Sequence, residues 1–173
     1  MKNPKKNPKK KPRKKRQPAD ISALHKAVSL LARRSYGIQE MRRKLTGASY
    51  PQEEIEEVVN RLVEAGYLDD RSYARAYVRD QMNLRRKGPR LIQAELAAKK
   101  VDSEIIMEIL SEQYTEAVQQ KNISCLIDKW RSSSSKYTDQ QMMRKLIQKG
   151  YYPGLAIRAV KESFGEQGFL DTP

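Results

Sequence analysis

A segment of about fifty residues recurs three times along this chain, and that recurrence restricts the fold more than any other feature. Met41-Arg-Arg-Lys-Leu45, Tyr50-Pro51 and Ile55 are echoed by Ile92-Gln-Ala-Glu-Leu96, Val101-Asp102 and Ile106. A third copy reads Met142-Met-Arg-Lys-Leu146, Tyr151 and Ile157. The leucines stand 51 and 50 residues apart and the isoleucines 51 and 51, with Val58, Ile109 and Val160 three residues beyond each isoleucine. The one-residue slip falls in the connecting loop of the third copy, at Gly150-Tyr151-Tyr152.

The periodicity inside each copy is helical. Leu24, Val28 and Leu31 fall at i, i+4 and i+7, as do Ile55, Val59 and Leu62, and strand-like alternation is missing. Pro51 opens a helix whose first turn is crowded with Glu53, Glu54, Glu56 and Glu57, suited to the positive end of its dipole. Gly66 closes it as a C-cap, and Asp102 and Pro153 open the corresponding helices of the other copies. A further helix precedes each pair, over about 23–35, 72–84 and 117–131. With 38% hydrophobic against 32% charged residues, one unit holds too little apolar surface to be stable alone. The expected fold is all-α: three tandem three-helix modules in an elongated, curved array. They span residues 21–68, 69–112 and 113–165, between a basic arm at 1–20 and a tail at 166–173.

Charge is distributed unevenly. Residues 2–16 carry ten lysines and arginines and no acid, so the remainder keeps only +4 of the formal +14. Pro4, Pro8, Pro12 and Pro18 interrupt this run, which reads as a disordered arm gaining salt-sensitive affinity for nucleic acid. Arg85-Arg86-Lys87-Gly88-Pro89-Arg90 is the densest cationic segment elsewhere, and Gly-Pro breaks the chain there before a new helix. Cations at a helix N-terminus oppose its dipole, and an approaching anion relieves that conflict. Lys99 and Lys100 extend this basic side, while Arg33, Arg34, Arg42, Arg43 and Lys44 form a second patch.

Catalytic constellations are missing. One histidine, His25, and one cysteine, Cys125, cannot make a clustered metal site or a Cys–His pair. No phosphate-cradling glycine loop is present, and no cofactor is expected. Asp69-Asp70 reads as a helix cap at Arg71 or Ser72 rather than a metal ligand pair. Cys125, among Ile123, Leu126 and Ile127, reads as a small core residue. One thiol without a partner and no apolar membrane span fit a cytoplasmic protein, taken here as a monomer.

The segment Leu68-Asp-Asp-Arg-Ser-Tyr73-Ala74, Arg85-Arg86-Lys87-Gly88-Pro89-Arg90-Leu91-Ile92, Glu95-Leu96 and Lys99-Lys100-Val101 resembles the RecX family of recombination regulators. Lys100 stands where that family's pattern has glycine, a departure that bears on the helix C-cap. Leu30-Leu31-Ala-Arg-Arg and Glu40-Met-Arg-Arg-Lys-Leu45 resemble the family's opening, and the third copy matches more loosely. The resemblance covers about residues 21–165. It implies a non-enzymatic regulator of DNA repair and recombination that binds along the groove of RecA on single-stranded DNA. Inhibition of strand exchange and ATP hydrolysis would follow from that binding. Arg85, Arg86, Lys87 and Arg90 are the foremost contact candidates, with Arg42, Arg43, Lys44, Lys99 and Lys100 next. The competing reading is a general helical DNA- or RNA-binding protein whose affinity comes mainly from the arm, which would extend to duplex DNA.

Overall fold

The structure, a computed structural model, describes residues 21–132 and 137–164. The arm at 1–20 and the tail at 166–173 therefore lie outside the described residues.

Among the described residues the chain forms nine helices and no strand. The first triplet is α1 (Ala23–Leu31), α2 (Ile38–Thr46) and α3 (Gln52–Glu64). The second is α4 (Asp70–Asn83), α5 (Pro89–Ala98) and α6 (Ser103–Gln113). The third is α7 (Glu116–Arg131), α8 (Asp139–Gln148) and α9 (Pro153–Phe164). Every helix pair in extensive contact belongs to one triplet.

The sequence repeat is a repeat of geometry. Leu45, Leu96 and Leu146 are all fully buried. Four residues beyond each leucine the backbone turns left-handed, at Ser49 (φ 67°), Lys100 (φ 66°) and Gly150 (φ 92°). The next N–H then donates back to the leucine carbonyl: Tyr50 to Leu45 at 3.4 Å, Val101 to Leu96 at 3.2 Å and Tyr151 to Leu146 at 3.2 Å. This is the reversal that closes a helix through a left-handed residue, and it aims the chain into the third helix of each triplet. Lys100 thus occupies a position that favours glycine, as its departure from the family pattern implies.

The core is split into two clusters. Met41, Leu45, Ile55 and Leu62 anchor one within the first triplet. Ile92, Leu96, Ile106, Ile123, Leu146 and Tyr151 belong to a second that runs through triplets two and three.

Four expectations are corrected. The buried face of α1 is Ala23 and Ala27, while Val28 is half exposed and Leu24 only partly covered. That helix also ends at Leu31, short of Ser35. Ile157 is 40% exposed, and Ala156 takes the buried place of Ile55 and Ile106, ten residues beyond its own leucine. The third copy therefore carries no slip. Cys125 is exposed, because α7 buries Asn122, Ile123, Leu126, Ile127 and Trp130 and turns the cysteine outward.

Candidate nucleic-acid interface

The basic segment 85–90 is held by the third triplet. Gly88 lies so close to the Gly150–Tyr151 peptide that a Cβ there would sit 2.2 Å from the Gly150 carbonyl carbon. The reverse holds at Gly150, where a Cβ would stand 2.5 Å from the Leu91 nitrogen. Across this contact Gly88 N–H donates to Lys149 O at 2.7 Å, and Arg90 N–H to Gly150 O at 3.1 Å. Carbonyl groups of the third triplet thus accept from two amides at the start of α5.

Two tyrosines fix the loop between α4 and α5. Tyr114 O–H donates to Lys87 O at 2.7 Å, and Tyr151 O–H to Arg86 O at 3.1 Å. Their hydroxyls lie 3.1 Å apart, and Asn122 Nδ2 donates to Tyr114 Oη at 3.3 Å and to Met82 O at 3.1 Å. Burial raises both phenolic pKa values, so the hydroxyls stay neutral donors. Within this frame Arg86 adopts φ 47°, and its Nε is buried with no acceptor in reach among the described residues.

The candidate cations separate by what they touch. Lys87 Nζ pairs with Glu95 Oε1 at 2.5 Å, and Tyr77 O–H donates to the other oxygen of that carboxylate at 2.9 Å. Arg90 is exposed, its guanidinium 6.0 Å from the Tyr152 ring centre. Arg85 is exposed and lines an open cleft of about 380 Å³ together with Lys145, Lys149, Leu91 and Trp130. Lys149 Nζ donates to Arg85 O at 3.3 Å, and its pKa is lowered by burial first and then by Lys129, Lys87, Lys145 and Arg86. Lys145 Nζ stands 4.5 Å from the centre of the Tyr137 ring and 5.8 Å from that of Trp130. A cation over an aromatic face is attracted by the ring quadrupole.

The sequence reading overlooked Lys145, Lys149 and Trp130. The repeat held a signal for one of them: Lys145 precedes Leu146 as Lys44 precedes Leu45, whereas Glu95 fills that place in the second copy.

The other candidates lie elsewhere. Arg42 pairs with Glu56 at 2.9 Å inside the first triplet, while Arg43, Lys44 and Lys100 are exposed. Lys99 belongs to the junction of triplets one and two, 3.8 Å from Glu40 and over the rings of Tyr73 and Tyr77. There Arg34 forks onto both Glu40 oxygens at 2.8 and 3.2 Å, which lowers the Glu40 pKa. Burial beside that carboxylate pushes Tyr73 up to about 12. Asp69 caps α4 as expected, accepting from the Arg71 and Ser72 amides at 3.0 Å each. Among the described residues no three His, Cys, Asp or Glu side chains could share a metal ion, and no helix is long and apolar enough to cross a membrane.

Comparison with known proteins agrees with this architecture. The first three-helix domain of RecX matches residues 23–62, and the second matches residues 69–110. The regulatory protein RecX of Listeria monocytogenes serotype 4a (strain HCC23) is 30% identical over 152 residues, covering 86% of this chain and 56% of that protein. The RecX of Bacillus cereus (strain AH820) is 43% identical over 101 residues, 56% of this chain and 37% of its own length. The chain thus spans about half the length, or less, of these curated relatives. The crystal structure of RecX from Lactobacillus salivarius superposes with a TM-score of 0.70 at 25% identity, covering 81% of this chain and 93% of that one. A second crystal structure of regulatory protein RecX gives a TM-score of 0.68 at 25% identity, covering 79% and 70%.

Proposed function

Because the chain belongs to the RecX family, we propose that it regulates a RecA recombinase, acting by occupancy rather than chemistry. The helical triplets follow the filament of RecA on single-stranded DNA as a curved array. Duplex DNA is thereby kept out, and strand exchange and ATP hydrolysis fall. The protein works in the cytoplasm as a monomer, without a cofactor, and its setting is DNA repair and recombination.

One observation supports this reading above the others: cations from two triplets meet on one face, Arg85 from the second and Lys145 and Lys149 from the third. A polymeric anion can engage such a face where a small ligand would leave most of it idle. The same residues leave open the reading of general nucleic-acid binding driven by the basic arm.

The deciding experiment titrates the protein into RecA on single-stranded DNA and follows ATP hydrolysis. A saturable fall at protein concentrations below those that coat naked DNA is the expected result. Equal affinity for naked strand and filament, with ATPase untouched, would instead establish the general binder.

A further inference from the structure

We propose that the cleft between the second and third triplets is a subsite for one backbone phosphate of a single nucleic-acid strand, held by Arg85, Lys145 and Lys149 with Trp130 as its wall. The inference rests on the reading above that the chain engages DNA; of the foremost sequence candidates it keeps Arg85 and joins to it Lys145 and Lys149.

The hydrogen-bonding accounts of the cations select these three. Lys87 is already neutralised by Glu95. Lys149 spends one of its three donors on the Arg85 carbonyl, which leaves two for a ligand. The contacts of Lys145 are ring faces, and no carboxylate among the described residues pairs with Arg85, Lys145 or Lys149. Burial, and after it the neighbouring like charges, lowers the proton affinity of Lys149, and a bound anion offsets the like-charge part of that conflict. Their spacing is also fixed. The interlocked backbones at Gly88 and Gly150 set the distance between the triplets, so the site is held ready before a ligand arrives.

The anion is assigned to a strand phosphate rather than a free one because the cleft is shallow and open. A lone phosphate there would keep most of its hydration, whereas a strand brings neighbouring phosphates to the flanking cations and releases counterions along its length.

Trp130 is the chain's one tryptophan, so its emission reports from the cleft. The experiment titrates the full chain with oligothymidylate, reading Trp130 emission together with anisotropy of a labelled strand. The expected result is an emission change that saturates with strand binding. The double variant Lys145→Gln/Lys149→Gln should bind about tenfold more weakly, with the log–log salt slope reduced by up to about 0.7, the share of the one phosphate held there.

An emission that ignores the strand, or wild-type affinity in a double variant of unchanged helicity, overturns the proposal. So does inorganic phosphate saturating the signal as tightly as the oligonucleotide, and so does poly-glutamate moving the emission where the strand does not. Should the double variant lose helicity, Arg85→Gln, on an exposed side chain, must show the weaker binding and the shallower slope; wild-type values there also overturn the site. The RecA ATPase assay separates the two readings. Inhibition that persists when the cleft test fails removes the subsite alone, and a responsive cleft without inhibition removes the RecA reading alone.

Discussion

The Asp70 Oδ1 accepts the main-chain N–H of Ile38 at 2.9 Å, so the first residue of α4 caps the first turn of α2 in the preceding triplet. Gly37, at the N-cap of α2, has no side chain to serve this amide, and its missing Cβ leaves room for the carboxylate 3.1 Å from where that carbon would be. The neighbouring Asp69 serves α4 itself, so two consecutive aspartates cap two different helices.

Asp70→Ala should therefore destabilise by about 1 kcal/mol, in the range of a lost N-cap, with faster amide exchange in the first turn of α2. Asp69→Ala should cost about the same and speed exchange at Arg71 and Ser72 instead. Denaturant melts and residue-resolved hydrogen exchange check both, and exchange patterns that do not separate would refute the division of labour.

The left-handed positions behave oppositely on substitution. Lys100→Gly relieves a strained backbone on an exposed residue and should stabilise by about 0.5–1 kcal/mol. Gly150→Ala adds a Cβ 2.5 Å from the Leu91 nitrogen, besides the strain of its φ of 92°. It should cost on the order of 3 kcal/mol, from backbone strain and overpacking together. Thermal unfolding of the two variants gives the comparison directly.

Tyr114→Phe removes the donor to the Lys87 carbonyl and leaves that acceptor, and the Asn122 amide, short of a partner. A loss of about 1–3 kcal/mol is expected. The 85–88 loop should loosen as well, because this phenol and Tyr151 together hold Arg86 at its φ of 47°. Fast amide exchange at Arg86 and Lys87 is the measurement, and unchanged protection would show the loop to be held by other contacts.

The Glu40 carboxyl has its pKa lowered, chiefly by the hydrogen bonds from Arg34 and further by Lys99. The unfolded chain binds this proton more readily than the native one, so the stabilisation is present above the ordinary glutamate pKa, about 4.3, and is lost as pH falls through the lowered native value. Glu40→Gln should be less stable than the parent at neutral pH, and the gap should close in acid. A gap that stays constant down to pH values below the native pKa would contradict the assignment.

Much of this was legible from the residues. Leucines fifty residues apart, with Pro51, Asp102 and Pro153 at the helix starts, indicate helical triplets because a helix shows its period and its caps in sequence. What escaped were rotations of one residue, about 100° around a helix axis. Val28 and Ile157 look like core by composition, yet Ala27 and Ala156 are the residues that are fully buried there. Cys125 misled for the same reason.

The candidate site was half visible. Arg85 stood out as part of a charge run, but whether a cation is available depends on partners that a linear reading does not display. Glu95 removes Lys87 from the set, and the glycine contact brings in Lys145 and Lys149 from some sixty residues away.

The two junctions between triplets differ in what must be given up to open them. Between the first and second stand Asp70 on an amide, Arg34 and Lys99 around Glu40, and aromatic faces, while the buried apolar residues on either side remain in separate clusters. Parting them trades polar contacts for water. Between the second and third runs one continuous apolar core, with interlocked glycine backbones whose separation would expose it. Of the two junctions the first is therefore the cheaper to open, so a hinge in this body would lie between α3 and α4, with α4–α9 joined by their shared core.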